Sequence, residues 1–130
     1  MSVTKEIVIM VDDDITNLQV ARNSLSEDFQ VITAPSGQKL FLLLERVKPA
    51  LILLDIEMPE MNGYQVLAKL KSEDRYSKIP IIFLSSKDDP KETIDSLGMG
   101  SFGIIKKPFS RQKLIELINL NILKEGECGV

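Results

Sequence analysis

Histidine is absent from the 130 residues, and cysteine occurs once, as Cys128 near the C-terminus. Zinc and copper sites built on imidazole and thiolate therefore have almost no ligands to draw on, so any metal here is a hard cation held by oxygen. One cysteine also excludes a disulfide framework and points to a reducing cytoplasm. No apolar run approaches the length of a membrane span. Ile7 to Val11 is too short for a signal-peptide core and runs straight into three aspartates. No run of basic residues stands out either. With a net charge of −3, that argues against nucleic acid or an anionic membrane as a direct partner.

The sequence shows no internal repeat, low-complexity tract or interior linker, and its length suits one domain with a real core. Short apolar runs at Ile7–Val11, Phe29–Thr33, Ala50–Leu54, Pro80–Leu84 and Ile104–Lys106 read as strands. Most are continuous rather than alternating, as expected of strands covered on both faces. Helical stripes lie between them: Ile15, Leu18, Ala21 and Leu25; Leu40, Leu43, Leu44 and Val47; Val66, Leu67 and Leu70; Leu114, Leu117 and Ile118. Asp89-Pro90-Lys91-Glu92 predicts the start of a short polar helix to about Leu97. Asn62 with Gln65, and Ser110 before Arg111, are further start signals.

Strands alternating with helices predict an α/β fold with a parallel sheet and helices on both faces. Such sheets bind ligands at the carboxyl ends of their strands. Asp12, Asp13 and Asp14 follow the first run, Asp55 the third, Ser85 and Ser86 the fourth, and Lys106, Lys107 and Pro108 the fifth. Alone, each has a bland explanation, and Asp14 reads most simply as a helix cap. Together they gather carboxylates, a hydroxyl and an ammonium on one rim. Crowded carboxylates need a counter-charge, which a divalent cation and a lysine supply. Such a site suits phosphoryl transfer, with a carboxylate as a candidate acceptor.

The motifs IVIMVDDD, LLDIEMPEMNG, IIFLSS and IIKKPF, in this order and spacing, resemble the receiver domain of bacterial two-component response regulators, of the chemotaxis-regulator type. The resemblance runs from about Glu6 to Leu123. It implies a flavodoxin-like, doubly wound (βα)5 fold with strand order 2-1-3-4-5. Residues 1–124 would form the domain and residues 125–130 a short tail. By resemblance, Asp55 is the phosphoacceptor, and Asp12, Asp13, Asp55 and the Glu57 backbone carbonyl hold Mg²⁺, with Mn²⁺ as a substitute. Ser85 and Lys107 then contact the phosphoryl group. The implied role is a phosphoacceptor signalling domain rather than an enzyme. The donor would be a histidine kinase or histidine phosphotransfer protein, and a downstream protein or output domain would meet the face formed by Pro90–Leu97 and Arg111–Ile122.

The sequence departs from that family where an aromatic residue often precedes the lysine by three positions: here it is Ile104, with Phe102 two residues earlier. Phe102 is expected to serve ordinary packing. Glu57 and Lys87 flank the expected pocket with opposite charges and are expected to approach each other and tune phosphoryl lifetime. A rival enzyme reading exists. Asp12-Asp13-Asp14-Ile15-Thr16 resembles the D-x-D-x-T motif of haloacid-dehalogenase-type phosphatases, with Asp12 as nucleophile and Asp14 as general acid/base. It leaves the block around Asp55 unexplained. An EF-hand loop is excluded, because Asn17 stands where glycine is needed and Asn23 where glutamate is needed.

Overall fold

The structure, a computed structural model, describes residues 5–58, 60–85, 102–106 and 110–128. The side chains of Ser85, Phe102, Ile104, Lys106 and residues 123–128 lie outside that description. Five strands form one sheet: β1 (Ile7–Val11), β2 (Gln30–Ala34), β3 (Leu51–Asp55), β4 (Ile81–Ser85) and β5 (Phe102–Lys106). All pairings are parallel and the order is β2-β1-β3-β4-β5, as the flavodoxin-like reading implies. Four helices are described: α1 (Ile15–Leu25), α2 (Gly37–Leu44), α3 (Gly63–Lys71) and α4 (Arg111–Cys128). The helix expected at Pro90–Leu97 lies outside the described residues.

The continuous apolar strands are buried on both faces, and their side chains sort by parity. Ile9, Val11, Ile52, Leu54, Ile81 and Phe83 pack with residues of α2 and α3, including Leu40, Leu44, Val66, Leu67 and Leu70. Val8, Met10, Leu51, Leu53, Ile82, Leu84 and Ile105 face α1 and α4 through Leu18, Ala21, Leu25, Leu114 and Ile118. Each such aliphatic side chain contributes about 1.5–3 kcal/mol by leaving water, so the sheet is a rigid platform for whatever stands on its rim.

The helix starts follow the local chemistry. Asp14 caps α1, its side chain accepting from the Thr16 N–H, and Ser36 caps α2 by accepting from Lys39. Asn62 and Gln65 form a complete capping box on α3. The Ser110 hydroxyl accepts from the Lys113 N–H at 3.1 Å. Arg111 also ties α4 to the end of α1, donating to the Ser24 carbonyl and to Asp28.

Several expected boundaries move by one or two residues. Phe29 is buried but donates its N–H to Leu25, so it finishes the turn after α1 rather than opening β2. Asp55 and Ser85 are the last residues of β3 and β4, because the ladder continues through the pairs Asp55–Leu84 and Ser85–Lys106. β5 begins at Phe102 and so contains both Phe102 and Ile104. Ile15, expected in the buried stripe, is 67% exposed, since the first residue of α1 faces away from the sheet. α4 remains helical to Cys128, so the expected tail begins as helix.

Candidate functional site

Strand order reverses between β1 and β3, which both leave the sheet at the same rim. Asp12 follows β1 and Asp55 ends β3, so the two meet in the crevice where doubly wound folds bind ligands. Both carboxylates are buried, at 1% and 5% exposure, whereas Asp13 is exposed. Carboxylate oxygens of Asp12, Asp13 and Asp55 lie within 4.8 Å of one another. This is the juxtaposition the sequence predicts, built from residues more than 40 positions apart.

Backbone bonds fix both positions. The Asp12 N–H donates to the Ala34 carbonyl at 3.1 Å, extending the β1–β2 ladder by one step. The Ile56 N–H donates to the Leu84 carbonyl at 3.2 Å and so holds the residue after Asp55. Beyond it the chain alternates: Ile56 and Met58 are buried and Glu57 is exposed. Glu60 then takes a positive φ of 67°, and the Gly63 N–H closes the loop onto the Ile56 carbonyl at 2.8 Å.

Gly63 is required by space. A Cβ there would stand 2.6 Å from the Asp55 carbonyl oxygen and 2.8 Å from the Ile56 Cα, closer than real Cβ atoms approach. The start of α3 thus packs directly on the backbone of the acceptor candidate. Two donors hold the Asp12 side chain: the Asp14 N–H on Oδ1 at 3.0 Å and the Asn17 Nδ2 on Oδ2 at 3.1 Å. Residue type alone does not single out Asn17 for this contact. Its spacing of five from Asp12, across a helix start, is the only signal.

The carboxylates fit a magnesium ion. Octahedral Mg²⁺ with oxygens at about 2.1 Å places its ligands about 3 to 4.2 Å apart. Oxygens within 4.8 Å of one another reach that range with at most a small contraction, and Asp13 is exposed rather than packed in the core. Ser85 ends β4 on the same rim, one strand from Asp55. Lys107, Lys87, Pro59 and the side chains of Ser85 and Ile104 lie outside the described residues.

A response regulator receiver domain model matches residues 8–119. The chain belongs to that family. This receiver is 33% identical over 120 residues to "Probable transcriptional regulator ycf29" of Porphyra purpurea, covering 92% of this chain and 57% of the relative. It is 28% identical to "Response regulator protein GraR" of Staphylococcus epidermidis, covering 95% and 54%. The chain therefore spans about half the length of the curated relatives it matches. Among solved structures, the signal receiver domain of a signal transduction histidine kinase from Syntrophus aciditrophicus superposes with a TM-score of 0.81 at 28% identity, covering 92% of this chain and 91% of that one. The haloacid-dehalogenase-like alternative finds no support. The match is to receivers, and Asp12, its nucleophile, has both oxygens engaged by donors. Asp14, its general acid/base, serves as a helix cap. Among the described residues, no helix is long and apolar enough to cross a membrane.

Proposed function

We propose that Asp55 of this receiver accepts a phosphoryl group from the phosphohistidine of a sensor histidine kinase or histidine phosphotransfer protein. An Asp55 oxygen forms the new bond to phosphorus as the bond to the imidazole nitrogen breaks, leaving an aspartyl phosphate. The observation that carries this reading is the convergence of Asp12, Asp13 and Asp55 at the strand-order reversal, with Asp55 held by the β3–β4 ladder.

Asp12, Asp13, Asp55 and the Glu57 carbonyl would hold Mg²⁺ or Mn²⁺. When bound, the ion offsets the carboxylate charge and the charge of the incoming group. Ser85 and Lys107 are assigned to the phosphoryl oxygens by the family resemblance. The protein's own work is positioning: a rigid strand end for the acceptor, and a fixed carboxylate at Asp12. Because the group is carried rather than turned over, the chain acts as a signalling domain and not as an enzyme in the ordinary sense.

The phosphoryl group adds about −1.5 to −2 charges at neutral pH. Ser85 and Lys107 are assigned to follow it; in the sequence Ser85 precedes Pro90–Leu97 and Lys107 precedes Arg111–Ile122, the face that the resemblance implies. That face is assigned to a downstream protein or output domain, biased between two arrangements by the local change. The cytoplasm is the compartment that suits a histidine-kinase partner and a lone thiol.

Mass spectrometry after incubation with acetyl phosphate tests the reading. One phosphoryl group on Asp55, dependent on Mg²⁺ and lost in Asp55→Asn, is the expected result. Stoichiometric labelling of Asp55→Asn, or of Asp12 in the wild type, would overturn it.

A further inference from the structure

We propose that Asn17 is a positioning residue for the metal-binding carboxylate Asp12, acting from the first turn of α1. The inference rests on reading Asp12 as a ligand of Mg²⁺. Asn17 is the third residue of α1, counted from the cap Asp14. At that helix position a polar side chain ordinarily reaches back to the N–H of the cap residue. α3 shows the ordinary arrangement: Gln65 accepts from the Asn62 N–H at 2.9 Å while Asn62 accepts from Gln65.

In α1 both partners of the reaching-back bond, the cap N–H and the side chain of the third residue, turn to the metal site instead. The N–H of the cap Asp14 donates to Asp12 Oδ1, and the amide of Asn17 donates to Asp12 Oδ2. Asp14 still caps by accepting from Thr16 at 2.8 Å, so the helix keeps its start. The Asn17 side chain is half-buried, and its contact spans five residues from strand end to helix. The amide must present nitrogen to Asp12, because its oxygen would repel the carboxylate.

Two donors on different oxygens fix both the rotation and the tilt of the Asp12 carboxyl plane. Each of the two oxygens carries more than one acceptor position, so a donor on each is compatible with metal ligation. The two donors also offset part of the repulsion from Asp13 and Asp55, whose oxygens lie within 4.8 Å. Donors that orient a metal ligand in this way are typically worth about 10- to 100-fold in metal affinity. Asparagine suits the position: an aspartate would add a fourth carboxylate and remove the donor.

Isothermal titration with MgCl2 alone tests this on the full chain, with Asn17→Ala, Asn17→Leu and Asn17→Gln beside the wild type. The expected result is a Kd raised about tenfold in the alanine and leucine variants. Asn17→Gln, which keeps an amide donor one methylene further out, recovers part of the affinity. The half-saturating Mg²⁺ for acetyl phosphate labelling moves by the same factor, while melting temperatures in EDTA stay within a few degrees of wild type. Wild-type Kd values in both donor-less variants overturn the role of Asn17 and leave the phosphoacceptor reading standing. Failure of the wild type itself to bind Mg²⁺ overturns both.

Discussion

Gly63 and Asp55 are in backbone contact across the loop that follows β3: a Cβ on the glycine would lie 2.6 Å from the aspartate's carbonyl oxygen. Asn62 caps the helix that Gly63 opens, so the capping box and the close approach act on one junction. The acceptor candidate is therefore located from below by the sheet and from the side by the start of α3.

Gly63→Ala measures that contact. Alanine favours a helix over glycine by about 1 kcal/mol. Here the clash is with backbone, which cannot swing aside, and overpacking of this kind costs about 1–3 kcal/mol. The clash is expected to win, lowering thermal stability. Because relief requires Asp55 or Ile56 to move, acetyl phosphate labelling is expected to slow by roughly 10- to 100-fold, as misplacements near 1 Å do. Wild-type labelling kinetics in a folded Gly63→Ala protein would show that the contact does not locate the acceptor.

Tyr76 sets a second test, at the opposite end of the sheet. Its side chain is buried beside Phe41, at a ring separation of 6.4 Å, with the Arg75 guanidinium 4.7 Å above its ring. Its hydroxyl is buried with no hydrogen-bond partner among the described residues. An unsatisfied buried polar group costs about 1–3 kcal/mol. Tyr76→Phe removes only that oxygen, so the variant is expected to be as stable as wild type or more so by about 1 kcal/mol. Chemical denaturation decides it, and a loss beyond 1 kcal/mol would reveal a bonded hydroxyl.

Periodicity and position carried most of the fold. Uninterrupted apolar runs marked the doubly covered strands, and the residues just beyond them marked the rim, which is how Asp12 and Asp55 were legible together. Boundaries were less so. Phe29 looks like strand by its apolar character, yet its N–H belongs to the turn after α1. Asp55 looks like the end of a run, yet it keeps its ladder partner Leu84. The contact from Asn17 to Asp12 and the proximity of Gly63 to Asp55 were not legible. Both depend on where a helix axis settles against the sheet, which residue type alone does not encode.

Glu57 and Lys87 carry the expectation about lifetime. If the two side chains pair across the mouth of the pocket, they obstruct the water that hydrolyses the aspartyl phosphate. An exposed pair contributes about 0.2–1 kcal/mol, so Lys87→Ala is expected to speed dephosphorylation by roughly 1.4- to 5-fold. Glu57→Lys combined with Lys87→Glu should restore the slower rate by re-forming the pair in reverse. Phosphoryl loss followed by intact-mass spectrometry checks both, and an unchanged rate in Lys87→Ala removes the pair from the account.

Asp13 offers a test in which stability and metal affinity pull in opposite directions. It is exposed, yet its carboxylate comes within 4.8 Å of two buried ones, so in the absence of metal it adds repulsion to the folded state. Asp13→Asn removes that repulsion, and its melting temperature in EDTA is expected to exceed the wild type's by a few degrees. The same change removes a charge from the ligand set and weakens Mg²⁺ binding; a tenfold loss corresponds to about 1.4 kcal/mol. At a Mg²⁺ concentration a hundred times the wild-type Kd, binding stabilises the wild type by about 2.7 kcal/mol but the variant by only about 1.4. Added Mg²⁺ should therefore narrow and then reverse the order of stabilities. Melting curves at a series of Mg²⁺ concentrations show the crossing directly. A variant less stable than wild type in EDTA, or equally responsive to Mg²⁺, would mean that Asp13 neither strains the metal-free site nor contributes to filling it.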